Sequence, residues 1–411
     1  MGSRNGFGVW ILFISLYGFS HLQLFYGAVN QQDQIPPKNY VKMTIVKDGA
    51  RTGAVCLDGS LPGYHIQRGS ESGSQNWLLQ FEGGGWCHDV KSCSLRSTTY
   101  RGSTSLMNKY ETFTGILSDD ISLNPDFYSW NRVKIRYCDG ASFGGDSEYS
   151  DHNTTLYFRG QKIWKAVLNQ LISKEGLGLA RMALLSGCSA GGLATFLHCD
   201  DFAKSLPNAR IVKCLSDAGF FIDVNDINDK NSIRTYFQNV TYLQDVEKNL
   251  NMECKRSHKN PYECFFPQYG LETIKTPYFL LNSAYDVYQF HHIFVPPSSD
   301  PKGLWKDCSE DPGKCSKDQI LVLQGYRIKM LEAMKPNAIH NQKQGFFVNS
   351  CFAHCQSEAQ DVWSGHNSPR IHNKTIAQVV GSWYFEREMM VKQIDCPYPC
   401  DKTCHNLIPI S

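Results

Sequence analysis

The sequence predicts an α/β fold: a mostly parallel sheet flanked by helices, with an inserted cap region and several disulfides. Three observations predict it. Short apolar runs of strand length alternate with longer stretches whose apolar residues recur every three or four positions. No internal repeat, low-complexity tract or linker interrupts the chain between Asn30 and Ser411. The length of 411 residues, 42% of them hydrophobic, is enough for one large core.

In chain order, Arg4 precedes the apolar run "VWILFISLYGF" (Val9 to Phe19), and the chain turns polar by "NQQDQ". This is the pattern of a signal peptide over residues 1–28, cleaved between Ser20 and Ala28. The run is shorter than the ~20 apolar residues of a membrane span. Residues 29–411 are therefore expected to be one domain, with no stable membrane insertion after cleavage. Strands are expected at "NWLLQF" (Asn76 to Phe81) and "RVKIRYC" (Arg132 to Cys138). An amphipathic helix then runs through Ile163, Val167, Leu168, Leu171 and Ile172. The strand "MALLS" (Met182 to Ser186) leads into a helix from Ala190 to about Phe202, and "RIVKCLSD" (Arg210 to Asp217) is a further strand.

The stretch before the next strand, "PYFLLNSAYD" (Pro277 to Asp286), is too long for a plain crossover. Residues 220–276, with a helical pattern from Arg234 to Leu250, are expected to form a cap over the site. A helix near Asp318 to Met334, the strand "GFFVN" (Gly345 to Asn349) and a helix from Thr375 to Phe385 complete the pattern.

Lys plus Arg (41) nearly balance Asp plus Glu (39), and no long basic run occurs, which speaks against a nucleic-acid partner. Sixteen cysteines in a chain with a secretory leader read as disulfides. Cys87/Cys93, Cys254/Cys264, Cys308/Cys315 and Cys396/Cys400/Cys404 lie in loop-forming stretches that gain from cross-linking. Neither CxxC nor HExxH occurs, so no zinc site is expected. Asn153, Asn239 and Asn373 head glycosylation triplets.

The stretch "LLSGCSAGGLATF" carries the chemistry. Gly187-Cys188-Ser189-Ala190-Gly191 fits G-x-S-x-G between a strand and a helix. In such a nucleophile elbow the serine occupies a strained turn and its neighbours must be small. The helix start favours developing negative charge. The turn projects only its central residue, so Ser189, and not the Cys188 thiol, is the expected nucleophile. It needs a base and an orienting acid, in the chain order Ser, Asp, His. Asp286 and Asp217 both follow strands; Asp286 lies further beyond the sheet edge, with room to turn toward an imidazole, and is preferred. His354 in "NSCFAHCQSE" follows the last long strand, whereas its rivals His291 and His292 do not follow one. Cys351 and Cys355 bracket His354 and are expected to tie its loop down. The "GGGWC" loop, Gly83 to Cys87, resembles a glycine-rich oxyanion loop. Its Gly85 and Trp86 N–H groups are expected to act with that of Ala190.

Together "FEGGGWC", "YCDGASFGGD", "LLSGCSAGGLATFLHCD", "LLNSAYDVYQ" and "NSCFAHCQSE" resemble the plant pectin acetylesterases, relatives of the animal carboxylesterase Notum. The resemblance runs from the Lys47 region to the C-terminal cysteines. It implies an α/β-hydrolase-like fold, an extracellular place in the cell wall, and acetylated pectin polysaccharide as substrate with water as co-substrate. The implied triad is Ser189, Asp286 and His354, with Gly85, Trp86 and Ala190 as oxyanion positions and no cofactor. Two alternatives differ in kind: a Notum-like deacylase removing a lipid acyl group from a protein, and a catalytically silent wall-binding protein.

Overall fold

The computed structural model describes residues 40–340 and 343–407, whose strands fall into one ten-stranded sheet and one hairpin. In chain order they are β1 (Tyr40–Ile45), β2 (Gly63–Gln67), β3 (Asn76–Phe81), β4 (Tyr110–Thr112), β5 (Asn131–Ile135), β6 (Ser147–Ser150), β7 (Thr155–Phe158), β8 (Met182–Cys188), β9 (Ile211–Asp217), β10 (Tyr278–Ser283), β11 (Gly345–Asn349) and β12 (Lys392–Ile394). The sheet order is β12-β11-β10-β9-β8-β3-β5-β2-β1-β4. From β12 to β5 every neighbouring pair is parallel. Strands β2, β1 and β4 add an antiparallel edge, and β6 and β7 form the separate hairpin.

The parallel strands are apolar because both their faces are covered. β3 and β10 are buried at every position. Alternate side chains go to opposite layers, as the strand period of two requires. Leu79, Leu185 and Leu280 join a core with Trp164 and Val167 of the helix Gly160–Gln170, and with Leu193 and Phe202 of the helix Ala190–Ser205. Leu78, Leu184 and Leu281 face the other way, against Val379, Trp383 and Tyr384 of the helix Ile376–Tyr384. That last helix starts on a capping box: Thr375 accepts from the Gln378 N–H, and the Gln378 side chain accepts from the Thr375 N–H.

The expected elements are present with shifted ends. The strand expected over Arg132 to Cys138 stops at Ile135, and the helix expected near Asp318 to Met334 runs Lys317–His340. In the long insertion, the pattern from Arg234 to Leu250 resolves into a helix Ser232–Leu243 and a separate turn Val246–Asn249. The insertion lays Phe221 and Phe237 edge-on against the Trp86 ring, at centroid distances of 4.8 and 4.9 Å.

All sixteen cysteines pair. Cys87–Cys93, Cys254–Cys264, Cys308–Cys315 and Cys396–Cys400 close short loops. Cys56–Cys138, Cys188–Cys355, Cys199–Cys214 and Cys351–Cys404 join separate elements. Cys404 thus leaves the C-terminal group in which its spacing placed it. By contacts the chain divides into Met1–Lys38, outside the described residues, and Asn39–Ser411. Residues 1–28, expected to be the signal peptide, lie in the first part. No helix among the described residues is long and apolar enough to cross a membrane. Asn153, Asn239 and Asn373 are exposed.

Candidate active site

Strand β8 ends at Cys188, and Ser189 turns the chain into the helix Ala190–Ser205 at φ 60° and ψ −125°. A positive φ costs a non-glycine residue roughly 1–3 kcal/mol and persists only where its surroundings impose it. Here they do. The Ser189 N–H donates to the Asp217 carbonyl oxygen at 2.9 Å, which fastens the turn to the end of β9. A Cβ on Gly187 would strike the Gly191 carbonyl, and one on Gly191 would strike that of Phe81. The small residues of "GCSAGG" are therefore demanded by backbone packed on backbone.

His354 lies in the loop after β11. Its Nδ1 bonds the Asp286 Oδ2 at 2.7 Å, and Asp286 is fully buried. The other carboxylate oxygen of Asp286 accepts from the Gln289 N–H at 2.9 Å, so the acid cannot swing away. This leaves His354 Nε2 with no hydrogen-bond partner among the described residues. Burial disfavours the charged imidazole. The Asp286 charge and hydrogen bond, reinforced by Asp217 and Glu358, outweigh it and raise the His354 pKa above its ordinary value.

The glycine loop is held from behind by its carbonyls. Gly83 O accepts from Arg101, Gly84 O from Arg96 at 2.9 Å, Gly85 O from the Tyr137 hydroxyl at 2.8 Å, and Trp86 O from the Tyr236 hydroxyl at 2.8 Å. In a trans peptide the N–H points opposite to the C=O. Anchoring the carbonyls of residues 83–85 therefore turns the N–H groups of Gly84, Gly85 and Trp86 the other way. None of these three N–H groups has a protein acceptor among the described residues. The Trp86 indole donates to Ser142 at 2.7 Å, fixing the ring.

Ser189, His354, Gly85 and Trp86 line one cavity of about 500 Å³. Asp286 stands behind His354, and Ala190 opens the buried helix start. Asp217 is not at the imidazole nitrogen. Its Oδ2 accepts from the Ser357 N–H at 2.6 Å and from the Ser357 hydroxyl at 2.7 Å, while its backbone oxygen holds Ser189. His291 bonds the Ser309 carbonyl, and His292 packs on the Tyr288 ring. Cys188 is bonded to Cys355, so no thiol adjoins Ser189. The carbonyl anchors Arg96, Arg101, Tyr137 and Tyr236 had no local signal in the sequence, because each acts across the fold.

Similarity to known proteins places the chain in a family. The pectinacetylesterase family model matches residues 34–405. Pectin acetylesterase 5 of Arabidopsis thaliana is 48% identical over 375 residues, 91% of this chain and 87% of that protein. The palmitoleoyl-protein carboxylesterase NOTUM of Mus musculus is 32% identical over 272 residues, 62% of this chain and 53% of that protein. The solved structure of the Wnt deacylase Notum from Drosophila superposes with a TM-score of 0.73 at 23% identity, over 89% of this chain and 99% of that one, a likeness of fold. Fold and site define a carboxylic ester hydrolase on an α/β-hydrolase-like sheet. The chain belongs to the pectinacetylesterase family.

Proposed function

We propose that the protein is a secreted esterase that removes acetyl groups from cell-wall pectin, with Ser189, His354 and Asp286 as its triad. The observation that carries the reading is the free Nε2 of an Asp-oriented histidine in the same cavity as a serine held at a strained elbow. Ser189 Oγ attacks the acetyl carbonyl carbon as His354 Nε2 takes its proton. The oxyanion is met by the N–H groups of Gly85, Trp86 and Ala190. On collapse, the carbon–oxygen bond to the sugar breaks and His354 returns the proton to the sugar oxygen, leaving acetyl-Ser189. Water, deprotonated by His354, attacks this ester; acetate leaves and Ser189 regains its proton. Residues 220–276 act as a cap, bracing Trp86 through Phe221 and Phe237. Asn153, Asn239 and Asn373 are proposed as glycosylation sites.

Acetyl is favoured over a long lipid chain by overall similarity, which is greater to the plant acetylesterase than to NOTUM. The test is acetate release from acetylated pectin by the parent and by Ser189→Ala. The variant should fold normally and lose on the order of 10⁵- to 10⁶-fold in turnover. Retention of most of the activity would remove Ser189 from the mechanism. Faster cleavage of octanoyl than of acetyl esters by the parent would favour the lipid deacylase.

A further inference from the structure

The cavity that holds Ser189 and His354 also carries charged groups that take no direct part in the ester chemistry: Glu82, Arg101, Lys134 and Glu358. Their bonds divide them into two kinds. Glu82 is fully engaged. One oxygen meets Arg101 at 3.3 Å, and the other meets Arg136 at 3.2 Å and accepts from the Tyr137 N–H at 3.0 Å. Arg136 is in turn bound to Glu111 at 2.5 Å. Lys134 is left over. Among the described residues its ammonium has one ion pair, to that same Glu111, at 3.9 Å, which is beyond hydrogen-bond length. Glu358 Oε1 is buried with no hydrogen-bond partner.

Lys134, only weakly paired, and Glu358 both line the cavity that holds Ser189, and a buried carboxyl oxygen without a partner is costly unless something else binds it. Resting on the pectin reading, we propose that this end of the cavity is a uronate subsite. Lys134, backed by Arg101, pairs with the carboxylate of the acetylated sugar, and Glu358 Oε1 bonds a ring hydroxyl. A galacturonate ring carries its acetyl ester and its carboxylate together, so one ring meets both demands when its ester lies at Ser189. Burial raises the Glu358 pKa above its ordinary value; Lys134 opposes this and Glu82 adds to it.

The experiment compares acetylated oligogalacturonates as free acids with the same oligomers after methyl esterification, which removes the charge and keeps the acetyl ester. The parent should favour the free acid on the order of 10-fold in kcat/KM, and this preference should shrink as salt rises. Lys134→Met should remove most of the preference and its salt dependence, and Lys134→Arg should restore both. Glu358→Ala should raise KM for both substrates, since the hydroxyls are common to them. An equal loss on both substrates in Lys134→Met would overturn the subsite, as would an unchanged preference. Failure of the parent to release acetate from either oligomer, while still hydrolysing p-nitrophenyl acetate, would overturn the pectin reading itself.

Discussion

Two aspartates follow neighbouring strands of the sheet, Asp217 at the end of β9 and Asp286 in the turn after β10, and their partners separate their roles. Asp286 gives one oxygen to the Gln289 N–H and the other to His354 Nδ1. It therefore selects the tautomer that leaves Nε2 unprotonated and facing the cavity. Asp286→Asn places an amide against Nδ1–H and should lower turnover by about 10⁴-fold through the wrong tautomer. Asp217 touches Ser357 and, through its backbone oxygen, Ser189, so Asp217→Asn should cost far less turnover and show itself mainly as a lower melting temperature. The reverse ranking in kcat would exchange the two assignments. The same bond sets a pH dependence. If His354 is the base as proposed, only its neutral form accepts the serine proton, so activity should rise with pH through the pKa of the imidazole. Asp286 raises that pKa, so the rise should centre above the ordinary histidine value in the parent. In Asp286→Asn it should move down. A parent rate independent of pH across this range would contradict a histidine base.

At the scale of elements, the site is a set of strand ends stapled to one another. β8 brings Ser189, β10 brings Asp286 and the loop after β11 brings His354. Cys188–Cys355 then ties the residue before the serine to the residue after the histidine, across a separation of 167 in sequence. Replacing both cysteines by alanine should lower kcat more than it raises KM, because the bond positions the proposed nucleophile against the proposed base, Cys355 itself lying in the cavity wall. It should also lower the melting temperature, since a disulfide typically contributes about 2–4 kcal/mol. A loss confined to KM would argue against positioning. This staple was not legible in the sequence. Four pairs close loops of 4 to 10 residues, but spacing alone does not settle pairing, since Cys351/Cys355 and Cys400/Cys404 are equally near and bond elsewhere, and nothing in "GCSAG" names its partner. The same holds for the sheet. β3, β8, β10 and β11 are apolar runs covered on both faces and read plainly, as did the strand–turn–helix around Ser189. β1 and β2 are of similar length but mixed in polarity, β1 is mostly half-buried or exposed, and β2 hides His65, whose Nδ1 bonds the Val41 carbonyl. Such strands are held by their neighbours, not by their own pattern.

For the whole molecule, the question is where binding energy comes from when the reacting group is so small. Burying the methyl of an acetyl ester is worth only about 0.8 kcal/mol, too little to hold a substrate. The proposed polymer must supply the remainder along the surface around the cavity mouth. Part of that surface comes from the loop with Arg101 and part from β5 with Lys134. The loop after β11 adds Glu358, and Tyr288 follows β10, so these four groups reach the cavity from separate stretches of chain. Disulfides keep several of these stretches in register, with Cys56–Cys138 behind the end of β5 and Cys351–Cys404 behind the His354 loop. A rigid mouth of this kind gains contacts as the substrate lengthens, until the chain overruns it. In a series of acetylated oligogalacturonates, kcat/KM should climb with each added unit through the first few and then level off. The gain should appear chiefly as a falling KM, because units remote from the ester bind the ground state and the transition state alike. A kcat/KM equal for the shortest and longest oligomers would mean that the enzyme reads only the acetylated ring, with the cavity alone supplying the affinity.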